Sequence, residues 1–316
     1  MPRGTLNSAQ LIEAIKRRAA IPDAQTVFDD DTLLKFVNEE MDNSIVPFIM
    51  SMHQEYFTHS EDVLLIANQN EYEIPYRAIG NKLRDIKYKD TSNNYFPMTR
   101  IEPEDRAYFD TGVDGYYRSF IIQGDRILLV PGVNENPVGY LALVYFLRPN
   151  ELVKLDRISN ITAIDTTLGI ISLDRIPEQF ANGMLIDFNK NKSANRILSF
   201  DIPVLSVDTV SMTITIDPAN IPMFLSVGDE VASAGECGIP QIPAELQSML
   251  CERVAARVMA AQGDMEGLQA SNAKIAEMEV KAGTMIDNRT EGNPQKINNI
   301  NSLLRRSKIG RRRFFF

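Results

Sequence analysis

Apolar positions in the first sixty residues recur at intervals of three and four. In LIEAIKRRAA, Leu11, Ile12 and Ile15 share one helical face. Asn7 or Ser8 is suited to cap this helix, with Gln10 as the capping-box partner of Asn7, and Pro22 ends it. A second run, TLLKFVNEEMDNSIVPFIMSMHQEYF, repeats Leu34, Val37, Met41, Ile45, Phe48 and Met52 with the same period. Asp29, Asp30 and Asp31 stand at its start, where free N–H groups and the positive end of the helix dipole favour carboxylates. Pro47 predicts a kink or split near Asn43, because proline donates no hydrogen bond and crowds the carbonyl four residues back.

The pattern changes at Val63. From there to about Glu236, short β-branched and aromatic runs such as VLLIA, SFIIQGDRILLVPG, GYLALVYFL and SMTITID are separated by turn residues. That spacing predicts a sandwich, barrel or meander and not βαβ units. A seam is expected in FLRPNELVKLD, where Pro149 and Asn150 break the strand pattern. Residues 63–150 and 151–236 are then two β regions, either separate lobes or one barrel with excursions.

Helices return after GECGIPQIP. Ala244 to Gln262 places Leu246, Leu250, Val254 and Val258 four apart, with Gly263 as a C-cap. From Asp264 onward, Leu268, Ile275, Met278 and Ala282 fall near a 3.5-residue period, a seam suited to pairing with the preceding helix. These seven Leu, Val, Ile and Met positions are the expected packing residues of the subunit helices. The expected fold class is α+β: residues 1–62 and 237–288 form a small helical bundle around a large all-β insertion, followed by an extended arm, 289–316.

Composition adds constraints. The 316 residues are 44% hydrophobic and 24% charged, within the globular range and enough for two or three modules. No stretch approaches the ~20 apolar residues of a spanning helix, and MPRGTLNSAQLIEAIKRRAA has no secretory core, so a reducing compartment and no membrane are expected. Cys237 and Cys251 fit no zinc spacing and are expected to be buried free thiols. The net charge of -9 is the balance of six positive charges after Leu303 and -15 on residues 1–302.

Catalytic chemistry is not expected. The two histidines, His53 and His59, lack an HExxH pattern and read as surface residues near a helix end. No GxxxxGK[ST] or GxGxxG follows a strand, and a helix N-terminus accounts for the aspartate triplet without a metal. No cofactor or metal site is therefore expected. The exception is the arm, RRSKIGRRRFFF. Its Arg305, Arg306, Lys308, Arg311, Arg312 and Arg313 could meet phosphates, with Phe314, Phe315 and Phe316 stacking on bases. The acidic body would repel a duplex, so a protein-docking arm is the stronger expectation.

Three phrases together resemble tailed-bacteriophage head-to-tail connector, or adaptor, proteins. LIEAIKRRAAIPDAQTVFDDDTLLKFVNEEM looks like their opening, ITAIDTTLGIISLDRIPEQFANGMLIDF like the inserted domain of larger members, and CERVAARVMAAQGDMEGLQASNAKIAEMEVKAGTMIDNRTEGNPQKINNINSLLR like their ending. Residues 63–147 and the FFF ending contribute nothing to the likeness. The resemblance implies a non-enzymatic virion protein of the neck, assembled in the host cytoplasm as a ring, commonly of twelve copies. It would sit on the portal protein, extend the channel for packaged DNA without reading its sequence, and present a surface to tail or nozzle proteins. Another neck or tail ring (a collar or tail-tube component) and a nucleic-acid-binding protein are the alternatives.

Overall fold

The computed structural model describes residues 5–22, 27–109, 119–133, 137–191 and 196–286. The arm, 289–316, lies outside the described residues.

Helix α1 (Ser8–Arg18) opens on the Asn7–Gln10 capping box, each side chain accepting from the other's backbone N–H. Helix α2 (Asp30–Glu40) is capped by Asp29, which accepts from the Thr32 N–H and whose carboxyl is thereby held below the usual range. Asp30 and Asp31 instead pair with Lys16 and Lys154. Past Glu40 the helix widens into a π turn, Met41–Ile45, and continues as α3 (Val46–Met52). Pro47 can give no N–H to Asn43; the Val46 N–H reaches back to Met41, so the helix absorbs the proline without breaking.

Eight strands and one helical turn follow: β1 (Thr58–Leu64), β2 (Glu71–Glu73), β3 (Ala78–Lys89), β4 (Tyr95–Pro97), β5 (Thr99–Arg100), α4 (Arg106–Phe109), β6 (Ser119–Gln123), β7 (Arg126–Val130) and β8 (Tyr140–Leu147). They form two four-stranded sheets, ordered β1-β8-β3-β4 and β2-β7-β6-β5. Tyr72, Ile86, Ile127, Leu129, Leu141 and Leu143 fill the common core of this sandwich. Strand β1 begins at Thr58, ahead of the expected boundary at Val63. Its segment THSEDVL alternates in burial but holds few large apolar side chains, so composition hides the strand.

The second β region is a separate closed barrel. After β9 (Glu151–Leu152) come β10 (Ser159–Asp165), β11 (Ile170–Leu173), β12 (Leu185–Asn189), β13 (Ile197–Asp208), β14 (Thr213–Ile216) and β15 (Glu230–Ser233), then β16 (Glu236–Cys237). The barrel order is β10-β11-β14-β13-β12-β15. In β14 the alternation is plain: Ile214 and Ile216 point into the core while Thr213 and Thr215 face outward. Gly169, at φ +70 in the β10–β11 turn, is required there, since a Cβ would stand 2.1 Å from the Ile216 carbonyl oxygen. Strands β9 and β16 pair in parallel and join the barrel's entry to its exit.

Helices α5 (Ala244–Gln262) and α6 (Met265–Met285) return to α1 and α2. Gly263 takes the left-handed C-cap at φ +79, and Asp264 caps α6 through the Gly267 N–H. Leu246, Leu250, Val254 and Val258 are fully buried against Leu11, Ile15, Leu33, Val37 and Ile45. Both ends of the described chain thus share one core. The histidines differ from expectation: His53 is buried, and His59 lies in β1 between the rings of Tyr145 and Phe200, at 5.6 and 5.3 Å. His53 is therefore interior, while His59 is half-buried in the wall of a cleft.

Phe188 is fully buried at the centre of the barrel. Phe188→Ala should cost about 3–5 kcal/mol of stability, read as a lower urea midpoint.

Candidate functional site

The sandwich and barrel meet around one guanidinium. Arg77 follows the turn at Pro75 that precedes β3, and is 6% exposed. Its Nη1 and Nη2 donate to Asp187 at 2.8 and 3.0 Å; Nη2 also donates to Asp201 at 2.7 Å and Nη1 to Asn150 at 2.9 Å. The Phe200 ring lies 5.0 Å from the guanidinium carbon. A bulge in β13 explains how Phe200 and Asp201 reach it: Ile186 pairs with Ile202 but Phe188 with Ser199, and Asp201 adopts φ +57. Burial opposes the charge on Arg77, but the hydrogen bonds to Asp187 and Asp201 outweigh it and raise its pKa.

The carboxylates are equally satisfied. Asp187, fully buried, also accepts from Asn150 Nδ2 at 2.7 Å and from the N–H groups of Gly235 and Asp201. The Tyr76 hydroxyl stands 2.7 Å from both Asp201 oxygens. Asn150 passes the network on: its N–H donates to Gln241, whose Nε2 donates to Asn189. Residues from the sandwich, both connectors and the barrel are therefore fixed by one polar cluster.

Two clefts flank this cluster and share Arg148 and Pro149 in their walls. The larger, about 680 Å³, runs between the start of β1 and the barrel. Phe57, Leu147, Leu198, Ile221, Met223 and Phe224 give it an apolar lining, with Arg148 and Arg196 beside them. Met223 is 89% exposed and Phe224 65%. The second, about 590 Å³, is lined by Lys35, Glu39, Asp42, Asn43, Tyr76 and Glu151. The π turn places Asp42 and Asn43 there, and burial pushes the Asp42 carboxyl up, partly countered by Arg148.

A smaller cavity of about 180 Å³ holds Glu230, Ile158 and Arg175 between α1 and the barrel. Glu230 is 4% exposed; burial pushes its carboxyl up to about 7, and the Gly238 N–H at 3.3 Å offsets this only in part. Gly238 packs so closely that a Cβ would stand 2.6 Å from Ile158 Cδ1. Its carbonyl accepts from the Ser8 N–H, tying α1 to the barrel's exit.

The arm residues Arg305, Arg306, Lys308, Arg311, Arg312, Arg313, Phe314, Phe315 and Phe316 lie outside the described residues. Leu246, Leu250, Val254 and Val258 have no exposed surface, Met278 packs beside the same core, and Ile275 is buried on α6. The α5 seam formed by the first four packs on α1, α2 and α6 within the same chain. Leu268 is half-buried on α6. Both cysteines are buried free thiols, and burial pushes each thiol's pKa up. Among the described residues no group of three or more His, Cys, Asp and Glu is placed to hold a metal ion, and no helix is long and apolar enough to cross a membrane.

Sequence reasoning missed Arg77, Asp187 and Asp201. Asp187 carried a signal, as a carboxylate inside the apolar strand LIDFN. No protein-family model matches the chain, and no curated protein sequence matches it.

Removing Arg77 leaves Asp187 charged and buried. Arg77→Ala should cost about 3–5 kcal/mol, and adding Asp187→Asn should recover part of it in the same urea titration. Glu230 supplies a pH test. Its proton is held more tightly in the folded chain than at the ordinary value of 4.5, so that contribution is full below 4.5 and lost as pH rises through about 7. Glu230→Gln should match the parent chain at acid pH and exceed it above neutrality by at most on the order of 3 kcal/mol, measured as the pH dependence of the melting temperature.

Proposed function

We propose that this chain is a structural virion protein: a ring-forming head-to-tail adaptor that docks on the portal, continues the DNA channel and gives the tail its attachment surface. The observation that carries the reading is the closure of both helical ends on one bundle with the β modules inserted between them. That arrangement accords with the order of the three phrases that resemble connector proteins. The charge supports it as well: a body at -15 lets DNA pass without sticking, and a basic, aromatic arm gives each copy a means to hold a neighbour. Its role is assembly, not catalysis.

The native mass of the purified protein, alone and mixed with a portal ring, tests the reading. A ring or a portal-bound assembly is expected, and deletion of Arg311 to Phe316 should abolish it at low and high salt alike. A strict monomer in both samples would overturn the adaptor role. Binding to DNA that falls steeply with salt would instead favour a nucleic-acid arm.

A further inference from the structure

We propose that the larger cleft takes an extended, acidic peptide segment of a partner, which adds as a strand to the open edge of β13 and sets its carboxylates against Arg148 and Arg196. The inference is independent of the adaptor reading and names the chemistry of a ligand. Its first support is the pairing of β13. Strand β12 pairs along one side from Ile197 to Pro203, whereas β14 joins the other side only from Val204 onward. Residues 197–200 are thus strand with one side unpaired among the described residues, and Ile197, Leu198 and Ser199 stand in the wall of the cleft.

The connection from β14 to β15 passes the same wall, but its backbone bonds stay within it: the Asn220 N–H donates to Asp217, Ile221 to Pro218 and Leu225 to Pro222. On the facing wall, Thr58 and His59 open β1, an edge strand that pairs only with β8. Two strand edges therefore border one groove. In such a place main-chain hydrogen bonds hold an extended segment, and the flanking side chains select it. The β13 bulge, with Asp201 at φ +57, ends the open edge, which suits a short segment and not continued sheet growth.

Charge decides the class of segment. Arg148 and Arg196 are exposed in the wall and, among the described residues, neither has a carboxylate at ion-pair distance. Asp42, which feels the charge of Arg148, stands in the second cleft. Glu55, the carboxylate that lines the larger cleft, is already occupied by Arg84 at 3.0 Å. Guanidinium forks bind carboxylates through paired hydrogen bonds. Alternate Asp or Glu side chains fall on one side of an extended strand and can meet both arginines while the backbone pairs with β13. A free anion would leave that edge unused.

The probe is a fluorescein-labelled peptide of alternating Glu and Val, titrated with the full chain and followed by anisotropy. Saturable binding is expected. The same peptide N-methylated throughout, which keeps its charge but has no N–H to donate, should bind roughly tenfold or more weakly, as should a Lys-Val peptide. Arg148→Glu with Arg196→Glu in the receptor should have the same effect; both positions are exposed, so the fold is left intact. Arg106→Glu, exposed on α4, is the control and should change nothing. Amide hydrogen exchange within residues 197–200 should slow when the peptide saturates. No saturable binding, equal affinity for the N-methylated peptide or unchanged exchange at residues 197–200 would overturn the proposal. So would an affinity indifferent to Arg148→Glu and Arg196→Glu, since the basic arm would then be what holds the peptide. A portal-bound ring that ignores the peptide would remove this site and leave the adaptor reading standing. Peptide binding by a strict monomer would uphold the site and remove the adaptor reading.

Discussion

The ion cluster of Arg77 with Asp187 and Asp201 is the constraint on which the arrangement of modules depends. Arg77 and Asp187 withdrawn from water, with Asp201 half-buried beside them, are expensive, and their attraction offsets that cost only where every remaining donor and acceptor is bonded. Here the condition is met by Asn150, Tyr76, Gly235 and the Asp201 backbone. Such a cluster adds less to stability than an apolar contact of the same size, but tolerates one geometry. Arg77 belongs to the sandwich and both aspartates to the barrel, so its geometry is the angle between those modules.

The same angle shapes the clefts. Tyr76 and Arg77 line the second, and Arg148, whose N–H donates to the Arg77 carbonyl, lies between the two. The bundle joins through a different set of bonds: Asn38 on α2 brackets Leu152 of β9, donating to its carbonyl and accepting from its N–H. Beside it, the parallel β9–β16 pair brings the barrel's two connections together. An insertion with adjoining ends can be carried without disturbing the host core, which explains why the bundle, sandwich and barrel keep separate apolar cores.

What was legible in the sequence was local. The Asn7–Gln10 box, the Asp29 cap and the Gly263 C-cap are decided by neighbours three or four residues apart, and all are present. The α+β class with helices at both ends followed from periodicity alone. The break at Pro149 and Asn150 falls between β8 and β9, yet could not say that one β region is a sandwich and the other a closed barrel, because closure depends on which strands pair at long range. Arg77 and Asp187 are 110 positions apart; nothing local in YRAIG announces a partner. The clefts were hidden for the same reason, since Asp42 and Phe224 come to line the two clefts that share Arg148 only after the modules fold.

A fixed angle matters most to a chain that joins copies of itself. A heterologous contact, in which one surface of a copy meets a different surface of the next, closes into a ring only when the rotation per contact is set; otherwise it grows open filaments. On the ring-forming reading proposed above, contacts made by different modules of one copy pass their rotation through the junction at Arg77. A purely apolar junction would hold the modules together as strongly but would slide. Paired hydrogen bonds of fixed direction at Arg77 do not, and a ring needs that property more than it needs added stability.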